Sequence, residues 1–165
     1  MKNNFFKILF FFLLYLNLST FSFSEEEFNF QVTEINIIEN GDIVIGSNGG
    51  KAITNNGIEI LGENFWYNKV TNILKVDGNV KLINNENNTT ILSDKATYLK
   101  NKEIVFTEGN SKAVDKKHTI TASNFKFDKI NNILTADKNV KFIDKEKDTT
   151  ILSDKATYLK NKEIV

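Results

Sequence analysis

The stretch TTILSDKATYLKNKEIV occupies residues 89–105 and recurs without a change at residues 149–165. Aligning the chain with itself at this offset of 60 residues extends the match, because KVTNILKVDGNVKLI at 69–83 corresponds to KINNILTADKNVKFI at 129–143. A weaker match at an offset of 31 residues divides this period in two. The chain is therefore built from a unit of about 30 residues that is used several times.

Turn-forming clusters divide the repeat into segments of about 15 residues. They lie near residues 40, 56, 69, 86, 101, 116, 129, 146 and 161. The segments between them are rich in Ile, Val, Thr, Phe and Tyr, which strands prefer, and they show no 3.6-residue period. The sequence therefore predicts an all-β fold of long antiparallel strands, about nine complete ones plus a truncated tenth.

The Asp-Gly pair at 77–78 looks like a two-residue hairpin turn, which would halve the strands. Two observations argue against this turn. Apolar residues from Leu74 to Leu82 keep one parity straight through Gly78, as a continuous strand requires. The corresponding pair at 137–138 is Asp-Lys, and a lysine would be costly where a positive φ is needed. We therefore expect a continuous strand here and ordinary strand backbone at Lys138.

The intervening strands carry an irregularity of their own. Their apolar residues include a step of five, as from Ile91 to Ala96, which switches parity. These side chains share a face only if a residue bulges out within Gly62–Asn64, Ser93–Lys95, Ala122–Asn124 and Ser153–Lys155. Bulges bend strands and sharpen their twist. Long strands bent at regular points predict a sheet folded over an apolar interior, which is an open β-jellyroll or "β-taco".

The same parity argument predicts which side chains face inward. They are Phe65, Tyr67, Leu74, Val76, Val80, Leu82, Ile91, Ala96, Tyr98, Val105, Ile120, Phe125, Phe127, Leu134, Val140 and Phe142. Trp66 has the opposite parity and is expected to point outward or to pack at an edge. The pattern does not distinguish residues that line a groove from residues that pack as a core, so both interpretations stay open.

The first 24 residues read as a secretory signal peptide. Lys2 and Lys7 form its basic end, Ile8–Leu16 is an unbroken apolar run, and Ser24 precedes the expected cut. The apolar run is too short to span a bilayer of ~30 Å comfortably as a helix. We therefore expect an exported, periplasmic protein with one folded domain at 25–165.

The composition excludes several function classes. The chain has no Cys and no Arg, so disulfides are absent and the bidentate arginine contacts typical of specific nucleic-acid binding are missing. His118 is the only histidine, and no catalytic triad or metal-ligand motif can be assembled around it. We expect His118 to be a solvated surface residue, and we expect no catalytic residues, no metal, no cofactor and no nucleic-acid partner.

GENFWYNKVTNILKVDGNVKLI (62–83) and SDKATYLKNKEIVFTEGNSKAV (93–114) resemble the repeat of the OstA-like family, the lipopolysaccharide-transport β-jellyrolls. This family includes LptA and the N-terminal domain of LptD. The characteristic Gly-Asn-Val is complete at 77–80 in DGNV, nearly so at 108–111 in EGNS, and lacks its glycine at 137–140 in DKNV. The resemblance covers residues 28–165.

The resemblance implies a V-shaped jellyroll, not an enzyme, whose apolar groove shields the acyl chains of lipid A while lipopolysaccharide moves to the outer membrane. The sixteen inward residues would line this groove. Family members stack edge to edge by strand pairing, which implies other Lpt jellyrolls as partners. Because the chain stops three residues into a new strand, we favour an LptD N-terminal domain, associated with the outer membrane, over LptA.

The alternative is a structural β-solenoid, such as an adhesin-like scaffold, with a packed core and no lipid ligand. A dry, filled interior would favour the scaffold, and a continuous cleft open at both ends would favour the transporter.

Overall fold

The computed structural model describes residues 28–55, 57–85 and 88–159, and over these ranges the chain forms one antiparallel sheet. Its strands are β1 (Asn29–Ile38), β2 (Ile43–Ile53), β3 (Ile58–Gly62), β4 (Asn64–Asn68), β5 (Ile73–Asn84), β6 (Thr89–Leu99), β7 (Ile104–Val114), β8 (His118–Asp128), β9 (Ile133–Asp144) and β10 (Thr149–Leu159). Short 3₁₀ turns lie at Glu39–Gly41 and Lys100–Lys102. No helix within these ranges is long and apolar enough to cross a membrane.

The predicted antiparallel all-β fold is confirmed. Strands that follow each other in the chain are hydrogen-bonded neighbours, except that β3 and β4 both lie between β2 and β5. These two short strands are the third predicted strand, divided at Glu63, so nine predicted strands become ten. The predicted signal peptide (1–24) and the truncated last strand, beyond the turn at 161, lie outside the described residues.

The strands bend where the sequence predicts bulges. The pairing register shifts at Ser93–Lys95 in β6, at Ala122–Asn124 in β8 and at Ser153–Lys155 in β10. Gly62–Asn64 spans the break between β3 and β4. The strand β5 runs without interruption through Gly78, as its parity predicts.

The expectation of ordinary strand backbone at Lys138 is wrong. A pair of residues with positive φ lies at each bend in β5, β7 and β9, at positions 78–79, 109–110 and 138–139. A Cβ on Gly109 would meet the side chain of Asp94, and the φ of +75° at this position favours glycine. The shorter Ser123 stands at the corresponding place beside Lys138, and we attribute the tolerance of a lysine there to this smaller neighbour.

A hydrogen bond from an asparagine ties each bend to the neighbouring strand. The second residue of each pair is an asparagine, which tolerates the left-handed conformation better than most residues. Its amide donates to the side chain sixteen residues earlier, which is Glu63 at 2.7 Å, Asp94 at 2.9 Å and Ser123 at 3.4 Å. The bend is thus a repeated, hydrogen-bonded feature.

The bends divide the sheet into two walls that face each other. The first wall comprises residues 29–32, 50–53, 58–62, 80–84, 89–93, 111–114, 118–122, 140–144 and 149–153. The second wall comprises residues 34–38, 43–47, 64–68, 73–77, 95–99, 104–108, 124–128, 133–137 and 155–159. The rings of Phe30 and Phe65 meet across the interior, with centroids 6.2 Å apart. The sheet is therefore folded over its apolar face, as predicted for a jellyroll.

Candidate functional site

The sixteen residues predicted to face inward lie on the inner faces of the two walls. Fifteen of them are buried, with at most 7% of their surface exposed, and Phe142 is partly buried against them. Burial is expected both of residues that pack as a core and of residues that line a groove. The assignment of these sixteen side chains to a lipid groove therefore stays a prediction.

The sequence pattern does not identify every residue of this interior. Phe28, Ala52, Ile58, Ala113 and Ala136 belong to the same buried cluster. Ala113 and Ala136 could have been identified from the sequence, because the register of the repeats pairs them with the predicted inward residues Ile120 and Phe125. Phe28 could not be found in this way, because it precedes the first strand and its place depends on the rings it meets. Those rings are Tyr67 and Tyr98, with centroids 4.9 Å and 5.8 Å away.

The middle of the interior is filled by side chains. Ile58 and Leu74 have no exposed surface. A gap of about 30 Å³ remains where Ile91 and Ile120 of the first wall face Phe127, Leu134 and Tyr158 of the second. This volume suits one or two water molecules and is far too small for an acyl chain. Side chains therefore fill the interior at this point.

The two ends of the sheet differ from its middle. At β1, the inward residues Ile35 and Ile37 are 56% and 57% exposed, next to a recess of about 230 Å³. That recess is lined by Phe28, Phe30, Ile35, Val44, Tyr67 and Lys69. At β10, the inward residue Ile151 is 54% exposed. The apolar inner face is therefore covered in the middle and open to solvent at both ends.

Several polar groups that reach the interior are satisfied at its margins. The hydroxyl of Tyr67 donates to Asn72 Oδ1 at 2.8 Å, and that of Tyr98 donates to Glu103 Oε2 at 2.7 Å. The buried hydroxyls of Thr107 and Ser111 pair with each other at 2.7 Å. Because each of these groups has a partner, the interior presents an apolar surface with no free directional group at these positions.

His118 is not a solvated surface residue, which corrects the sequence-based expectation. Its side chain is only 20% exposed, and its Nδ1 lies 3.0 Å from the Tyr158 hydroxyl and 3.3 Å from Asp115 Oδ1. The Phe142 ring lies 5.4 Å from the imidazole. Sequence reasoning missed this cluster because Tyr158 is 40 residues away, and only the folding of the walls brings it there.

The environment of this cluster alters two of its pKa values. Burial disfavours the charged form of Asp115, but the backbone N–H groups of His118 and Lys117 donate to its carboxylate at 2.7 Å and 2.9 Å. Together with the His118 ring they hold the pKa of this carboxyl below its ordinary value of 3.8. Burial, followed by the nearby Asp115 carboxylate, raises the pKa of Tyr158 to about 12. The ionised carboxylate of Asp115 and the neutral phenol of Tyr158 therefore take part in the contacts that hold β10 across the interior.

The buried cluster of the interior that the structure describes consists of apolar side chains. No group of three or more His, Cys, Asp or Glu side chains is placed to hold a metal ion among the described residues. What the interior offers is extended apolar surface enclosed by two walls, which favours the binding of apolar chains through the hydrophobic effect.

Comparisons with known proteins agree with this geometry. The sequence profile of the family described as "OstA-like protein" matches residues 33–162. The fold is similar to that of LptH, the LptA-homologous periplasmic component of the lipopolysaccharide transport device from Pseudomonas aeruginosa. That match has a TM-score of 0.62 at 12% sequence identity, and it covers 68% of this chain and 83% of the other. No curated protein sequence matches the chain.

Proposed function

The chain belongs to the OstA-like protein family, and on this premise we propose that it carries lipopolysaccharide to the outer membrane by sheltering the lipid A acyl chains between its walls. The family consists of transport proteins rather than enzymes. The observation that carries the proposal is one apolar inner face that continues through the strands from β1 to β10 and is exposed at both ends.

Sheltering acyl chains is a problem that apolar surface alone can solve. Each methylene group taken out of water contributes about 0.8 kcal/mol, so a groove needs no directional chemistry to hold an acyl chain. Because the middle of the interior is filled, this proposal requires the two walls to move apart when lipid enters. The exposed inward residues Ile35, Ile37 and Ile151 mark the two ends at which an acyl chain meets apolar surface first.

The two terminal strands support partnership with other jellyrolls. Within the described ranges, β1 pairs only with β2, and β10 pairs only with β9, so each leaves one edge of backbone groups open. Open edges invite the addition of a strand from another chain. We propose that further Lpt jellyrolls dock at these edges, so that the apolar face continues from one protein to the next.

We also propose a periplasmic location, with export directed by residues 1–24. The preference for the N-terminal domain of LptD over LptA stays a prediction. It is tested by the coding sequence downstream of Val165, where LptD would continue into an outer-membrane domain.

Photocrosslinking in cells tests the transport proposal. A benzophenone amino acid is introduced at Phe127 or Ile151, which face inward, and at Phe106, which is aromatic, 38% exposed and on the outer face of β7. Phe106 is a matched control because Phe127 pairs with its neighbour Val105. Adducts with lipopolysaccharide are expected from Phe127 and Ile151, and none is expected from Phe106.

The absence of an adduct from both inward positions, in protein that is folded and exported, would contradict the proposal. The filled middle of the interior favours a second candidate, a scaffold whose core packs permanently and binds no lipid. A disulfide placed across the interior separates the two. Linking the walls should abolish lipid adducts if the walls part, and it should leave the function of a scaffold unchanged.

A further inference from the structure

A row of lysines crosses the outer face of the first wall. The pairing register aligns Lys51, Leu61, Lys81, Leu92, Lys112, Thr121, Lys141 and Leu152 side by side on eight successive strands. Every second position is a lysine, and adjacent strands lie about 4.8 Å apart, so the ammonium groups repeat at roughly 10 Å over about 30 Å. We refer to this set as the lysine row.

Aliphatic side chains accompany the lysine row. Leu92 and Leu152, which belong to the row, are 36% and 73% exposed. The next outward row on the same wall places Ile53, Ile83, Val114 and Ile143 on every second strand, all partly exposed. The outer face of the first wall therefore combines regularly spaced positive charge with accessible aliphatic surface.

The charge on this face is poorly neutralised by acids. The outward residues of the first wall include four lysines and one acid, Glu59, which pairs with Lys51 at 3.3 Å. Lys81, Lys112 and Lys141 are exposed and form no ion pair with any residue that the structure describes. The outward face of the second wall also carries four lysines, but five acids lie among them. The formal charges of the two outer faces are thus +3 and −1.

We propose that the outer face of the first wall docks onto the surface of a bilayer that contains anionic phospholipid. Charge complementarity selects an anionic partner, and the aliphatic rows suit the apolar boundary beneath lipid headgroups. Lysine acts as a point charge without the fork geometry of arginine, so the lysine row suits many mobile headgroups better than one fixed phosphate. The partner is a membrane surface, and the contact lies on the opposite side of the sheet from the interior.

This inference does not depend on the transport proposal. The lysine row faces away from the core, so a protein with a permanently packed interior would dock in the same way. Conversely, loss of lipopolysaccharide adducts from inward positions would leave membrane docking untouched.

Vesicle co-sedimentation tests the proposal with the exported protein. Vesicles of phosphatidylcholine with phosphatidylglycerol are compared with vesicles of phosphatidylcholine alone. The test variant combines Lys81→Gln, Lys112→Gln and Lys141→Gln, and the matched control combines Lys95→Gln, Lys126→Gln and Lys155→Gln on the second wall. Both variants remove three positive charges and have the same N-terminus, so they differ only in which wall loses its lysines. The test variant should bind anionic vesicles roughly tenfold or more weakly, and the control should bind within about twofold of the parent protein.

A second readout reports which wall faces the membrane. Trp66, the single tryptophan, lies on the outer face of the second wall with Lys75 Nζ 5.1 Å from its ring. Its emission should stay unchanged when vesicles bind to the first wall. Circular dichroism of both variants verifies folding.

Three results would overturn the proposal. The first is equal loss of vesicle binding in the two variants, and the second is a blue shift of Trp66 on binding. The third is failure of the parent protein to bind anionic vesicles although it binds a soluble polyanion such as heparin. That result would assign the lysine row to a different partner.

Discussion

The strands β6 and β10 have the same sequence, TTILSDKATYL, but differ in burial at seven of their eleven positions. Ile91 in β6 is 2% exposed, whereas its counterpart Ile151 in β10 is 54% exposed. Leu92 and Leu152, on the outer face, are 36% and 73% exposed. The difference arises because β6 lies between β5 and β7, whereas β10 pairs only with β9 among the described strands.

The local structure of the two strands is nevertheless the same. The hydroxyl of Ser93 donates to the Lys95 carbonyl at 2.9 Å, and that of Ser153 donates to the Lys155 carbonyl at 2.8 Å. Ile91 pairs with Leu82, and Ile151 pairs with the corresponding Phe142. Identical sequence thus fixes identical bend and register, and the neighbours decide how much each residue contributes to stability.

The largest expected effect contrasts the two isoleucines. Ile91→Ala should lower the free energy of unfolding by about 2–5 kcal/mol, because it removes buried methyl groups and leaves a cavity. Ile151→Ala should cost less than about 1 kcal/mol, because its side chain is already half in solvent. Urea unfolding of both variants measures the difference. Equal losses would mean that another chain covers β10 in solution.

The next effect concerns the bends beside the two strands. Gly109→Ala should cost about 2 kcal/mol, since it places a Cβ at a φ of +75° against Asp94. Lys138→Gly, at the corresponding bend beside β10, should change stability by less than about 1 kcal/mol. Urea unfolding under identical conditions compares them. A neutral Gly109→Ala variant would contradict the crowding at this bend.

A smaller effect is expected from the two tyrosines. Tyr98→Phe should cost about 1.5 kcal/mol, because its hydroxyl donates to the partly buried Glu103 carboxylate at 2.7 Å. Tyr158→Phe should cost about 0.5 kcal/mol, because its longer contacts with His118 and Asp115 lie at a more exposed edge. Thermal unfolding ranks the two variants. A larger loss of stability in Tyr158→Phe than in Tyr98→Phe would show that the cluster at β10 contributes more to stability.

The smallest effect is a dependence on pH. The pKa of Asp115 is lower in the folded state, so its stabilising contribution is present above pH 3.8 and is lost as the pH falls through the folded-state value. The stability difference between the parent protein and Asp115→Asn should therefore shrink as the pH falls below about 3.8. Asp154→Asn, at an exposed position in β10, is the control. A difference that persists unchanged in strong acid would contradict this assignment.

Most of the fold could be predicted because its signals are local and repeated. Parity identified the inward residues, and the step of five located the bends in β6, β8 and β10. Lys138 shows the limit of such reasoning, because the cost of a positive φ depends on the neighbouring side chain. The prediction considered only the backbone preference of lysine. It did not take into account that the neighbouring strand has the smaller residue Ser123 at this place.

The cluster of His118, Asp115 and Tyr158 shows the same limit at the candidate site. Each residue has an unremarkable sequence context, and no motif joins them. These three residues come together only at a particular angle between the two walls. That angle results from the combined twist and bend of several strands. The lysine row, by contrast, follows from register alone and could have been read from the repeats once the pairing was known.

The sequence by itself determined the strands, their bends and the face on which each side chain lies. These properties depend on residues within one repeat, where alternation and turn chemistry act directly on the backbone. Only the tertiary structure decided that the middle of the interior is filled and that its ends are open. Burial depends on how many neighbouring strands exclude water, and two identical stretches at different positions in one sheet have different neighbours.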